Sequence, residues 1–312
     1  MLKRNAPALV LAAIIAALTP LIASSPSLLD TSVVIAIYSL LALSVGITYG
    51  AAGILSVAQA SLAALGAYVT AILSIRFGVS PWLCGLIAIG APVLFAYPFA
   101  RLVTRLSPLA LAIATLMFGY GFDIALREGG DLTGGYIGLS GVPSIPMVDT
   151  AIMLHILAWF VVALTVLGYK NLLDSQYGAA LRTIRHDALR AAADGVSVDH
   201  MRSVAFSLGA AVAGAAGWLY AHHITYIGPD SLGPAMSLSV LLMAVVGGVR
   251  SVLGPIVGAA GLTLIFKLIP SQETVGMFYG TALILCLLIA PNGIMGIRWF
   301  AQRAGSAARK IL

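Results

Sequence analysis

Apolar runs long enough to cross a bilayer recur along the whole chain, near residues 6–22, 32–49, 54–75, 82–100, 107–125, 151–169, 203–220, 236–249, 251–267 and 276–291. A helical span needs about 20 such residues, so these runs consume most of the 312-residue chain and leave short connections. Charged residues make up only 9% and apolar ones 60%. Soluble domains carry about 25% charged residues, and a chain this poor in charge could not cover a water-facing surface. Disorder and a large water-soluble catalytic domain are both excluded. The expected fold is an all-α polytopic membrane protein of about ten transmembrane helices, forming one transmembrane domain over residues 1–312. The runs 236–249 and 251–267 are short and nearly continuous, so eight full spans plus re-entrant segments also fit.

The formal charge of +6 is distributed as in a membrane protein and gives no nucleic-acid signal. With the N-terminus inside, alternating spans place fourteen Lys and Arg residues on the inner side and three, Arg76, Arg127 and Lys267, outside. That bias predicts two cytoplasmic termini. The first run follows Lys3 and Arg4 and reads as an uncleaved span rather than a signal peptide, because it is long and many spans follow. Cys84 and Cys286 lie inside apolar runs without metal or redox spacing and read as small buried hydrophobes.

Two connections are long enough to matter. Residues 127–149 fall outside and are rich in Gly, Pro and Ser, so a loop is expected. Residues 170–202 fall inside and carry helix signals. Asp174 and Ser175 can cap a helix through YGAALRTIR, Asp187 can cap ALRAAA, Gly195 can end it, and Ser197 can cap the next span. A weak internal repeat is also visible. An offset of 195 residues pairs Gly53, Ser56, Val57, Ala64 and Gly66 with Gly248, Ser251, Val252, Ala259 and Gly261.

No phosphate-binding glycine loop, HExxH or GxSxG motif is present, so any ATP must bind another chain and no catalytic residue is assigned. His222 and His223 read as an exposed interfacial pair rather than a metal site, since adjacent helical residues diverge. His155 reads as packed or interfacial. Asp123, in FGYGFDIAL with Tyr120, is the one acid within an apolar run. It either marks a pathway or sits at interface depth and meets Arg127 one turn on. The stretch YGAAGILSVAQASLAALGAY, residues 49–68, breaks an apolar run with Gly50 and Gly53 and follows with Ser56, Gln59 and Ser61. It either lines a pathway or packs closely through Gly46 and Gly50. The runs around Gly254–Gly261 and Gly209–Gly217 read as small-residue packing faces.

Three segments together resemble one family. GAAGILSVAQASLAALGAY, then LALAIATLMFGYGFDIAL with DLTGGYIGLSGVP, then YGAALRTIRHDALRAAADGVSVDHMRSVAFSLGAAVAGAAGWLYA are similar to bacterial branched-chain amino-acid ABC transporter permeases of the LivH/LivM type, with the LivM branch fitting best. The similarity continues through YIGPDSLGPAMSLSVLLMAVVGGVRSVLGPIVGA to APNGIMG, covering about residues 35–297. The resemblance implies an ABC importer permease fold in a bacterial inner membrane, without cofactor or enzymatic activity of its own. Implied partners are a second permease subunit, two ATP-binding subunits, a periplasmic substrate-binding protein and membrane lipid. The family's ATPase-coupling helix falls on Asp187–Ala193, including Ala191 and Ala192, with Arg182 and Arg185 before it and Gly195 closing it. Translocation-path candidates are Ser56, Gln59, Ser61, Tyr120 and Asp123, and the outer loop is marked by Thr133, Gly134 and Gly135. The chain departs from the family in lacking glutamates near His186, Ala188 and Ala192, in adding Arg190, and in placing Gln59 where many relatives have His. The implied cargo is a branched-chain amino acid, with urea, short amides or aromatic acids as alternatives. An ion-coupled carrier would instead need charged midplane sites, and a membrane enzyme a polar triad, neither of which the sequence supplies.

Overall fold

A computed structural model gives the structure of residues 6–267 and 293–295. The tenth apolar run, Cys286 and the charged residues Lys3, Arg4, Arg298, Arg303, Arg309 and Lys310 lie outside the described residues. The described residues are mostly helical. α1 covers Ala6–Ile22; α2 runs over Pro26–Val45 and continues as a π-helical turn, Gly46–Ala51; α3 is Gln59–Phe77, α4 Pro81–Val103 and α5 Pro108–Glu128. A short α6, Gly130–Thr133, and strand β1, Leu139–Ser140, precede α7, Ala151–Asp174. Then follow α8 (Gln176–His186), α9 (Ala188–Ala193), α10 (Val198–Ile224), β2 (Tyr226–Ile227), a 3-10 turn (Pro229–Leu232), α11 (Pro234–Gly247) and α12 (Gly254–Lys267). Among the described residues seven helices are long and apolar enough to cross a membrane, and α1 and α12 are shorter apolar helices.

Sequence punctuation sets the helix ends. Proline opens α2, α4 and α5, where its missing N–H costs nothing. Ser107 and Thr150 accept bonds from the backbone N–H groups of Ala110 and Met153, capping α5 and α7. Gly78, at φ +59°, stops α3.

α10 is the central post, packed against α2, α3 and α4. Glycine permits this packing. A Cβ at Gly217 would stand 2.0 Å from the Ala63 carbonyl, and one at Gly214 would stand 2.2 Å from that of Ala88. Without a solvent-driven hydrophobic effect between helices in lipid, such backbone-to-backbone approach is what holds them together. The same holds between α11 and α12, where Gly247, Gly254 and Gly258 meet, so the expected small-residue packing faces are present. Outward, α5 shows Leu109, Ile113, Met117, Tyr120 and Ile124, and α7 shows Ile156, Phe160 and Leu164. Exposed apolar stripes of this extent would be unstable in water.

The helix-end contacts sort by bundle end. Arg105 pairs with Asp199 at 3.0 Å, and Arg202 donates to the Thr104 carbonyl at 3.2 Å, at the end that carries α8 and α9. At the opposite end Arg127 pairs with Asp123 and Asp230, His223 with Asp30, and Lys267 donates to Ser27. These are the two groupings that span alternation predicts.

The 195-residue repeat has a structural counterpart. Gly53 and Gly248 both take positive φ, +71° and +107°. Each ends a helix and opens a non-helical break, residues 52–58 and 248–253, and the helices that follow start at Gln59 and Gly254, again 195 residues apart. The two helix–break–helix units also exchange partners, α2 packing on α12 and α11 on α3.

Candidate functional site

The first break brings polar side chains into the interior of the bundle. A helix that begins at depth exposes N–H groups that no preceding turn can satisfy, and lipid offers no replacement. Here neighbouring hydroxyls serve. Thr115 of α5 accepts from the Val57 N–H at 3.0 Å, Ser56 accepts from Ala58 at 3.2 Å, and Ser237 of α11 accepts from Ala60 at 3.1 Å. Gln59 is fully buried, and its Nε2 lies 3.5 Å from Thr48 Oγ1. Ser61 faces α5, with its Oγ 2.9 Å from where a Gly119 Cβ would stand. Among the described residues Gln59 Oε1 and Ser61 Oγ have no hydrogen-bond partner. Of the five path candidates the structure therefore gathers Ser56, Gln59 and Ser61. Thr48, Thr115 and Ser237 complete the cluster. Sequence reading missed these three because a lone hydroxyl in an apolar run gives no signal, and only the broken neighbouring helix assigns it a partner.

Tyr120 is half exposed on the outward stripe of α5, apart from that cluster. Asp123 accepts from Arg127 Nε at 2.9 Å, one turn on, and Arg127 also reaches Asp230 at 2.5 Å and lies over the Tyr136 ring. Of the two sequence alternatives for Asp123, the ion pair with Arg127 is the one present. The outer loop is more ordered than its composition implies. Thr133 donates to the Leu126 carbonyl at 2.6 Å, Gly134 and Gly135 both take positive φ, and β1 pairs antiparallel with β2, Leu139 opposite Ile227. A Cβ at Gly134 would stand 2.1 Å from the Gly138 carbonyl, so the loop closes through its glycines.

At the other end, α8 and α9 form the expected corner. Ser175 accepts from the Gly178 N–H, and one Asp187 carboxylate oxygen accepts from Leu189 and Arg190 at 3.0 Å each. Gly195, at φ +84°, closes α9. Asp174 ends α7 rather than capping α8, and Ser197 occupies the N-cap position of α10 without a side-chain bond. Of the two alanines expected at the coupling helix, Ala192 is exposed, whereas Ala191 is fully buried and anchors α9 inward. Arg182 donates to the Leu173 carbonyl at 2.6 Å and braces the corner. Arg185 points inward to the Gly50 carbonyl and lies over the Tyr49 ring. Burial, and then the nearby Arg250 guanidinium, pulls its pKa down from the usual arginine value. Leu189, which the sequence reading did not single out, is 85% exposed on α9.

His222 is buried and His223 partly so, rather than both exposed. His222 Nδ1 lies 2.8 Å from the Pro143 carbonyl and His223 Nε2 lies 3.1 Å from Asp30, so adjacent positions are used to tie α10 to two different neighbours. Among the described residues no cluster of His, Cys, Asp or Glu could hold a metal ion.

The profile of the permease component of branched-chain amino acid transport systems matches residues 27–290. The chain is 28% identical to the high-affinity branched-chain amino acid transport permease LivM of Salmonella typhimurium, over 90% of this chain and 73% of that protein. It is 28% identical to the LivM of Escherichia coli, over 85% and 69% of the two chains. The probable LivH permease of Methanocaldococcus jannaschii is 30% identical over 83% and 89%. No solved structure matches it significantly. With the profile covering the helix–break–helix units, the α8–α9 corner and the outer loop alike, the chain belongs to the family of branched-chain amino acid ABC transporter permeases, multi-pass membrane proteins.

Proposed function

We propose that this chain is the transmembrane permease subunit of an ATP-binding-cassette importer in a bacterial inner membrane, moving a branched-chain amino acid by alternating access. The observation that carries the reading is the start of α3 inside the bundle, with Gln59 Oε1 and Ser61 Oγ buried beside it and without a partner among the described residues. A helix N-terminus at membrane depth favours a carboxylate, and discontinuous helices bind anionic substrate groups in this way. Unmatched polar atoms cost free energy at rest and regain it when a zwitterion passes. Ser56, Gln59 and Ser61 therefore serve the path. Tyr120 and Asp123 lie toward the outer side, Asp123 within the Arg127 ion cluster.

The α9 face, with Leu189, Arg190 and Ala192, docks an ATP-binding subunit in the cytoplasm, and a second permease subunit and a periplasmic binding protein complete the complex. The outer loop, with Thr133, Gly134 and Gly135 setting its shape, faces the periplasm. Hydrolysis takes place on the partner subunits, and both termini of this chain are cytoplasmic.

Reconstitution in liposomes with the partner subunits should give leucine uptake that requires ATP and the binding protein. Uptake driven by a proton or sodium gradient without any ATPase would replace this reading with an ion-coupled carrier.

A further inference from the structure

The helical turn that leads into the first break meets the second break at the end of the bundle that carries α8 and α9. A Cβ at Gly50 would stand 2.2 Å from the Val249 carbonyl and 2.9 Å from the Tyr169 hydroxyl. The π-helical last turn of α2, Gly46–Ala51, thus lies directly against the second break, backbone on backbone. That turn is also tethered from the side, because Tyr169 of α7 donates to the Gly46 carbonyl at 2.7 Å. Between the tethers α2 is wound as a π-helix, a form found mostly as single turns at functional sites. It ends where Gly53 turns left-handed and the Ile54 N–H returns to the Thr48 carbonyl at 3.0 Å.

The last carbonyls of a helix lack intrahelical donors and carry the negative end of its dipole. One of them, that of Gly50, is met by the Arg185 guanidinium. The same guanidinium lies 5.9 Å from the centre of the Tyr49 ring, and Arg185 Cγ stands 3.0 Å from where a Gly53 Cβ would be. Arg185 is two residues from Asp187, which caps α9. One side chain therefore joins the α8–α9 corner to the segment that leads into Ser56 and Gln59.

We propose that Arg185 is a positioning residue, the latch of an inner gate formed by the π-helical turn of α2 and the second break. Held on the Gly50 carbonyl, it keeps the π-helical turn pressed against Val249 of the second break and closes the way to the polar cluster on that side. A shift of α8 and α9 draws the guanidinium away, frees the π-helical turn and lets it part from the second break. Glycine is required at both positions, because a Cβ at Gly50 would run into the Val249 carbonyl and one at Gly53 would crowd the Arg185 side chain.

The inference rests on the importer reading above, and the tests separate the two. In the reconstituted complex Arg185→Gln should lower uptake by about tenfold or more, the scale set by one charge-assisted hydrogen bond, while hydrolysis continues. Arg185→Lys, which keeps a donor, should restore part of the uptake. Joint loss of hydrolysis and uptake in an assembled complex would place Arg185 in ATPase docking and overturn the latch, as would wild-type uptake per ATP. The second measurement needs no ATPase. With Cys84 and Cys286 replaced by alanine, Ser251→Cys in the second break should react faster with an impermeant thiol reagent from the α8–α9 side once Arg185→Gln is added. An unchanged rate refutes the gate. Should Arg185→Gln not assemble, Tyr49→Leu removes the ring beneath the guanidinium and must speed the same labelling, and an unchanged rate there is equally fatal. A wild-type complex without ATP-driven uptake would sink the importer reading alone.

Discussion

Replacing Gln59 by leucine separates a path residue from a packing residue, because the two roles predict opposite signs. Gln59 is fully buried, its Nε2 bond to Thr48 sits at 3.5 Å, and its Oε1 has no partner among the described residues. A hydrogen bond inside a membrane protein averages about 0.6 kcal/mol. A buried acceptor without a donor costs about 1–3 kcal/mol. Leucine is close to glutamine in volume, so no cavity opens and little strain is added. Gln59→Leu should therefore stabilise the resting fold by about 0.5–2 kcal/mol, the difference between those two effects. Thermal unfolding in detergent should rise by about 2–4 °C for each kcal/mol. Uptake in the reconstituted complex should fall, because the solute loses the amide that would have met it. A variant that is both less stable and less active would mean that Gln59 only packs. A more stable variant with wild-type uptake would mean that the path runs elsewhere.

Leu189→Ser should weaken capture of the ATP-binding subunit by about tenfold or more, since burying a leucine is worth about 1.5–3 kcal/mol, and a pull-down titration reads it directly. Gly217→Ala should lower the unfolding temperature, because overpacking costs about 1–3 kcal/mol or more and the added methyl would stand 2.0 Å from the Ala63 carbonyl. Intact yield and unfolding temperature at the wild-type level would contradict that packing. Ala192→Cys and Tyr136→Cys, each with Cys84 and Cys286 replaced, should label with an impermeant reagent from opposite sides of the membrane. Labelling from one side would overturn the span alternation.

Much of the architecture was legible because lipid imposes simple rules. Span length, charge asymmetry and the Asp187–Gly195 helix signals follow from local chemistry and needed no tertiary knowledge. The 195-residue offset showed in the sequence only as a weak match of five positions, and it gains weight from the positive φ that the structure gives both Gly53 and Gly248. What was hidden depends on which helices meet. Thr115 and Ser237 matter only because α3 starts between α5 and α11. Ala191 and Leu189 are neighbours in sequence, yet one is buried and the other exposed, and a six-residue helix has no periodicity from which to tell them apart. The pairing of β1 with β2 joins two short segments some 85 residues apart, too brief for alternation to show.

α10 is 27 residues long, about 40 Å at 1.5 Å per residue, enough to run from one face of a bilayer to the other. Its first turn follows α9 after four residues, and its last is joined through Thr225 to the strand that holds the outer loop. Between these ends its contacts at Gly214 and Gly217 are backbone against backbone, with no long side chains to yield. A displacement entering at either end is therefore passed on with little damping, as along a pushrod. Movements of the α9 corner and of the outer loop would then share one stiff element, and its rigid-body travel, rather than successive repacking of the core, would couple them.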